Sequence, residues 1–387
     1  MKDSIFVIIN SLYGGGAEHA ASRIVKLLNE KYNVIVISLL AQTQNDYEFG
    51  RNIISIQDSH IRKHWIGNII CAAKKIDELA NEYSPKTMIS FLQNANLCLM
   101  MTKYKAQKII SIRNYIEKQY KGKKLILWSI LIRLFFKRAD KIVSVSQLIN
   151  SEMIDRFKLP TGKCLCIYNP YDIDEIVKLS KEEIPSQYKD FYNSHTVISS
   201  MGRVSEQKGH FHLIRILKEL NKGSEKFGLV IIGNDEDEYA QLLKKLVMDY
   251  NLNQDVIFTG QKKNPYKFIR NSFCYVFPSK YEGFPNALVE AMACSVPVIA
   301  ADCKSGPREI LLDDSEDYGF LIECSNEKFL GPQVQLTEIE KEYCDRILEL
   351  NNNYSLYIKY SDKAFLRAQD FSAERIIPKW INLIENV

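Results

Sequence analysis

Two glutamates, Glu282 and Glu290, enclose seven residues that begin Gly283-Phe284-Pro285. An ionised carboxylate only accepts hydrogen bonds, so a pair of them suits a ligand rich in hydroxyls. The turn leads into an apolar stretch that reads as a short helix, and the open N–H groups of a helix start attract phosphate. Earlier in the chain, Gly202-Arg203 is followed by Lys208-Gly209. Arginine offers a planar fork to phosphate oxygens and lysine a point charge. A third stretch, Gly14-Gly15-Gly16-Ala17-Glu18-His19, lets backbone approach a ligand before a helix. Cations, amides and carboxylates in this combination fit a phosphorylated sugar such as a sugar nucleotide. Each stretch alone has a plainer reading. The glycines make a tight turn, Arg203 and Lys208 are surface cations, and Glu282 and Glu290 are a loop and a helix carboxylate. The apolar company of Glu290, from Val289 to Ala293, argues against simple solvation.

These residues need elements to carry them. Apolar runs at 5–10, 34–40, 86–91, 108–112, 141–145 and 164–168 alternate with helical patterns, and the same alternation restarts at 196–201, 228–233, 256–259, 274–278, 296–301 and 319–322. Near-continuous apolar strands separated by helices predict parallel, doubly wound sheets covered on both faces. The fold class is therefore α/β with two Rossmann-like halves. The expected domains are 1–172, completed by a terminal helix over 372–387, and 196–371, with the polar segment 173–195 as a linker. The first loop is not G-x-G-x-x-G, and no acidic residue closes the second strand, so a dinucleotide fingerprint is absent.

A hydrophobic content of 46% with 25% charged residues fits a globular protein and excludes a disordered one. The opening residues meet polar positions too early for a signal peptide, and no apolar run is long enough to span a bilayer. The nine cysteines show no C-x-x-C pattern, which predicts reduced thiols and no zinc site. The net charge of +4 is unevenly spread: residues 103–141 hold twelve Lys and Arg against Glu117 and Asp140. A local field of this kind suits an anionic partner. No nucleic-acid-binding module is recognisable, so nucleic acid is not the expected one.

Taken in order, Gly-Gly-Gly-Ala-Glu-His, Gly202-Arg203 with Lys208-Gly209, and Glu282-x7-Glu290 resemble the family 4 glycosyltransferases over nearly the whole chain. Phe284-Pro285-Asn286-Ala287-Leu288 and Ser305-Gly306-Pro307-Arg308-Glu309 look most like bacterial enzymes that extend glycans on undecaprenyl diphosphate. The resemblance implies a GT-B fold, two domains facing a cleft, and sugar transfer from a nucleotide donor with retention. Arg203 and Lys208 would bind the donor diphosphate, joined by amides around Asn286, Ala287 and Leu288. Glu290 would hold the ribose, Glu282 the donor sugar, and Gly15 and Gly16 the β-phosphate. Gly202 and Phe284 belong to the same donor-binding set. No metal or other cofactor is implied. The expected donor is a UDP-sugar carrying GalNAc, Gal or GlcNAc, and the expected acceptor a lipid-linked oligosaccharide.

Many relatives place a histidine at the end of the fifth strand, where this chain has Arg113-Asn114. Arginine is a fixed cation with no acceptor, so Arg113 either meets an anionic group of a substrate or braces its loop. Residues 121–138 hold an apolar segment with basic flanks and a tryptophan. That pattern suits a helix lying in an anionic membrane surface, or a helix packed on the first sheet with cations at its rim. The first reading implies a cytoplasmic enzyme, peripheral on the inner face of the membrane. Two rival functions share the architecture: a UDP-sugar epimerase and a non-catalytic sugar-nucleotide-binding protein.

Overall fold

The computed structural model describes residues 2–13, 15–40, 47–56, 65–314, 316–325, 327, 329 and 335–386; Gly14, read above as part of the first loop, lies outside them. Thirteen strands are formed among these residues, and all but the four edge strands β3, β7, β10 and β13 have partners on both sides. The first sheet contains β1 (Ser4–Ile9), β2 (Asn33–Ser38), β3 (Ile53–Ser55), β4 (Thr87–Phe91), β5 (Gln107–Ile112), β6 (Lys141–Ser144) and β7 (Cys164–Cys166), ordered β3-β2-β1-β4-β5-β6-β7. The second contains β8 (Thr196–Met201), β9 (Phe227–Ile232), β10 (Val256–Phe258), β11 (Cys274–Phe277), β12 (Val298–Asp302) and β13 (Phe320–Glu323), ordered β10-β9-β8-β11-β12-β13. All pairings between these strands are parallel. β4, β9 and β11 are buried along their whole length, as strands covered on both faces must be.

The chain divides into two units, one of residues 1–171 with 373–387 and one of 172–372. In the first, the terminal helix Ala373–Glu385 returns to the core. Its Ile376, Ile377, Trp380 and Leu383 join Val7, Ile9, Ile24 and Phe91, and Trp380 is fully buried. Gln107 Nε2 donates to Leu383 O at 3.0 Å, and Lys31 pairs with Glu385.

Three sequence expectations differ from the structure. The edge strand β3 is only three residues long and half-exposed, so it carries no periodic signal. β12 starts at Val298 and not at Val296, because Pro297 has no N–H to donate to a ladder; its carbonyl accepts the Tyr275 N–H at 2.9 Å. Residues 173–195, expected as a linker, form helices Ile173–Ser180 and Ser186–Ser194 within the second unit. Asp172 caps the first helix by accepting the Glu175 N–H at 2.9 Å. The pair is fastened by Asn264 Nδ2 donating to Leu179 O at 2.8 Å and Tyr192 OH donating to Phe268 O at 3.0 Å. The second helix buries no residue fully, which is why its sequence reads as linker.

Candidate active site

In the second unit the strand order reverses between β8 and β11, and ligands of such sheets bind outside the carboxyl ends of strands at that crevice. The loop after β8 carries Gly202, Arg203 and Lys208, and the loop after β11 carries Glu282. Backbone and side chains join the two loops. The Lys280 N–H donates to Gln207 O at 2.8 Å, Gln207 Nε2 donates to Tyr281 O at 2.8 Å, and Lys280 pairs with Glu206 at 3.0 Å. Gly209 has φ +68°, and a Cβ there would stand 2.3 Å from Pro278 O, so this approach requires glycine. The junction brings Lys208 Nζ to 2.7 Å from Glu282 Oε1, with the two side chains 19% and 10% exposed. Lys208 also lies over the Phe277 ring, 5.2 Å from its centroid. An ammonium has three donors and a carboxylate several lone pairs, so each retains capacity for a ligand. Arg203 is exposed and makes no side-chain hydrogen bond or ion pair among the described residues.

Glu290 lies on the helix Asn286–Ala293 and is 5% exposed, which removes the solvent-facing reading. The turn before that helix is held from below. Ser305 Oγ donates to Gly283 O at 2.7 Å, and Gly306, at φ +98°, packs so closely that a Cβ would meet Pro285 Cδ at 2.3 Å. Phe284 sits edge-on to Phe371 at 5.6 Å. Asn286 and Ala287 are partly exposed at the helix start, whereas the Leu288 N–H donates to Pro285 O at 3.0 Å and is already engaged. His210, next to the Gly209 turn, is buried; burial, then the Lys208 charge, lowers its imidazolium to about 3, so the ring is neutral.

In the first unit, Gly15 and Gly16 are exposed at the start of the helix Gly16–Leu28. The Gly15 N–H is engaged by Glu18 Oε2 at 3.2 Å, a local cap of the helix start. Burial raises the Glu18 carboxyl above the ordinary range, against the opposing pull of backbone bonds and Arg113. Arg113 is 4% exposed. Its Nη2 donates to Asn169 Oδ1, its Nη1 lies 3.5 Å from Ser111 Oγ, and its guanidinium lies over the Phe91 ring. These contacts hold Asn169 against β4 and β5. Burial lowers the guanidinium to about 10, which still leaves it a cation at neutral pH.

The structure thus gathers Gly202, Lys208 and Glu282 on two fastened loops, and places Glu290 on the helix that one of them leads into. Gln207, Lys280, His210 and Tyr275 were not singled out in the sequence. Gly209 was the one local signal for the loop junction, since a glycine before a helix marks a close approach. Among the described residues, no group of three or more His, Cys, Asp or Glu is arranged to hold a metal.

Comparison with known proteins bears on the family and the fold. The family model for glycosyl transferases group 1 matches residues 181–351. The chain is similar to the uncharacterized glycosyltransferase MJ1059 of Methanocaldococcus jannaschii, with 31% identity over 83% of this chain and 84% of that one. It is 28% identical, over 96% of both chains, to the N-acetylgalactosamine-N,N'-diacetylbacillosaminyl-diphospho-undecaprenol 4-alpha-N-acetylgalactosaminyltransferase of Campylobacter jejuni. In fold it resembles Anabaena HepE, solved in complex with UDP and glucose, with a TM-score of 0.78 at 17% identity across the whole of both chains. Two doubly wound parallel sheets of this order are the GT-B architecture, and the similarity along most of the sequence places the chain in the glycosyl transferases group 1 family.

Proposed function

We propose that this glycosyltransferase moves a hexose or N-acetylhexosamine (GalNAc, Gal or GlcNAc) from a UDP-sugar to a lipid-linked glycan during surface polysaccharide or glycoprotein glycan assembly. The observation that carries the reading is the Lys208–Glu282 pair at the β8/β11 crevice, two residues suited to phosphate and to sugar hydroxyls. The Campylobacter relative acts on an undecaprenol-linked acceptor and HepE was solved with UDP, which supports this donor and acceptor class.

In this reading Arg203 and Lys208 neutralise the departing diphosphate, helped by the helix start at Asn286 and Ala287. Glu290 holds the ribose and Glu282 the donor sugar. The bond from the anomeric carbon to the β-phosphate oxygen breaks, and a bond from the acceptor oxygen forms on the same face. The acceptor proton passes to the leaving phosphate, so retention needs no protein nucleophile. Arg113, buried and bonded to Asn169, has the bracing role in this scheme. No metal has a role in this scheme. The two carboxylates hold the donor and are not an acid/base pair of the glycosidase kind.

The helix Gly122–Phe135 buries Trp128 and Ile132 and exposes Ile126, Leu127, Ile130 and Leu134, with Lys121, Lys123, Lys124, Lys137 and Arg138 exposed around it. A surface that is both apolar and basic supports residence on an anionic membrane. Among the described residues no helix is long and apolar enough to cross one.

A donor screen tests the proposal: saturation-transfer NMR with several UDP-sugars, then assay on a polyprenyl-diphosphate glycan. The expected result is contact with one UDP-sugar and transfer only with acceptor present. Interconversion of the UDP-sugar without acceptor would instead identify an epimerase, and binding without turnover a non-catalytic protein.

A further inference from the structure

β8 pairs with β9 along its whole length, from Thr196↔Phe227 to Met201↔Ile232, but with β11 only at Ile198↔Cys274 and Ser199↔Tyr275. β11 meanwhile stays with β12 through Phe277↔Ala300. The sheet therefore splits over the last residues of β8 and β11, under the loops that carry Arg203 and Glu282. A split ladder leaves backbone groups without strand partners, and buried ones must be satisfied. Here one side chain does it. The Tyr275 hydroxyl accepts the Met201 N–H at 3.1 Å and donates to the Met201 carbonyl at 3.2 Å. Tyr275 is fully buried. Its ring stacks beside Phe277, with centroids 6.4 Å apart, and Phe277 is the ring under the Lys208 ammonium.

We infer that Tyr275 is a positioning residue for the donor site: its hydroxyl fixes the end of β8, and with it Gly202 and Arg203, while its ring backs the Phe277 platform of Lys208. Burial, with the Glu290 and Glu282 charges, pushes the phenol far up, so it keeps the proton it donates. A phenylalanine would fill the same space and leave both Met201 groups unpaired.

This inference rests on the donor reading above, and the test separates the two. Hydrogen exchange on the full chain reads positioning without ligand: Tyr275→Phe should speed exchange in the 200–204 segment while the rest of the second unit keeps its protection. Titration with UDP reads the consequence. Tyr275→Phe should weaken UDP about tenfold, the order of one or two lost hydrogen bonds, with a fall of a few degrees in melting temperature from the two unpaired Met201 groups. In an Arg203→Ala background the same change should cost much less, because both act through one contact. Unchanged exchange at 200–204 overturns the inference whatever UDP does. So does an equal loss of affinity in both backgrounds, which marks a merely structural residue. If wild-type protein does not bind UDP, the donor reading fails, and the exchange result alone decides the role of Tyr275.

Discussion

Lys208 and Glu282 are satisfied by each other at 2.7 Å, and this pairing sets what a substitution removes. Truncating Lys208 takes away a charged donor to the ligand and leaves Glu282 a mostly buried carboxylate without its partner. Glu290, buried at 5% exposure, is a carboxylate placed where ordinary solvation is closed to it. Loss of a hydrogen bond to a charged group costs about 1.5–3 kcal/mol, which is at least about tenfold in rate. Lys208→Ala and Glu290→Ala are each expected to lower turnover by that factor or more in a steady-state assay with the donor found by the screen. Wild-type rates in both variants would remove the site assignment. These residue types were legible in the sequence, because chemistry and spacing are local properties. The bond between Lys208 and Glu282 was not, since 73 residues of chain lie between them and only the adjacency of β8 and β11 brings them together.

At the scale of elements, the helix Gly122–Phe135 has two apolar faces. One face, with Trp128 and Ile132, is buried; the other, with Ile126, Ile130 and Leu134, is left in solvent, at 62%, 51% and 51% exposure. Periodicity alone leaves membrane and core readings open for a helix apolar nearly all round, and here the packing buries one face and leaves the other exposed. Ile130→Asp with Leu134→Asp should abolish flotation with vesicles containing anionic lipid while leaving the melting temperature near wild type, because both side chains already face water. Flotation equal to wild type at low salt would rule out this face as the membrane contact. The helices at 173–195 are the converse case. Their sequence reads as linker, because few buried residues hold them to the second unit.

For the whole molecule, each unit has its own core, and one buried polar cluster makes the second unit sensitive to acid. Glu340 is fully buried. It accepts from His212 Nδ1 at 2.8 Å and from Arg215 Nε at 2.8 Å and Nη2 at 3.0 Å, and it closes a capping box with Thr337. Burial pushes its carboxyl up, but the bonds from His212, Arg215 and the Thr337 backbone prevail and hold it at about 2, against an ordinary 4.5. A depressed carboxylate stabilises the fold at pH values above its unfolded pKa, and that stability fades as pH falls through the folded value. The second unit should therefore lose on the order of 3 kcal/mol between about pH 4.5 and 2. Trp65, Trp128 and Trp380 all lie in the first unit, so their fluorescence does not report this loss; hydrogen exchange in second-unit peptides does. Glu340→Gln should be destabilised at neutral pH, because Arg215 is left buried without its anion, and should show a flatter acid profile. An unchanged profile in that variant would separate the acid response from Glu340.

The α/β class, nearly all strands of both sheets and the residue types of the site were legible in the order of amino acids, because apolar periodicity and side-chain chemistry are written locally. That order also carried the resemblance to a glycosyltransferase family. Folding alone shows that β8 and β11 lie side by side and part at their ends, that Glu290 is buried, that Arg113 braces Asn169, and that the Tyr275 hydroxyl meets the end of β8. Each of these depends on which distant segments meet. That is set by the packing of whole sheets and helices, and no run of neighbouring residues records it.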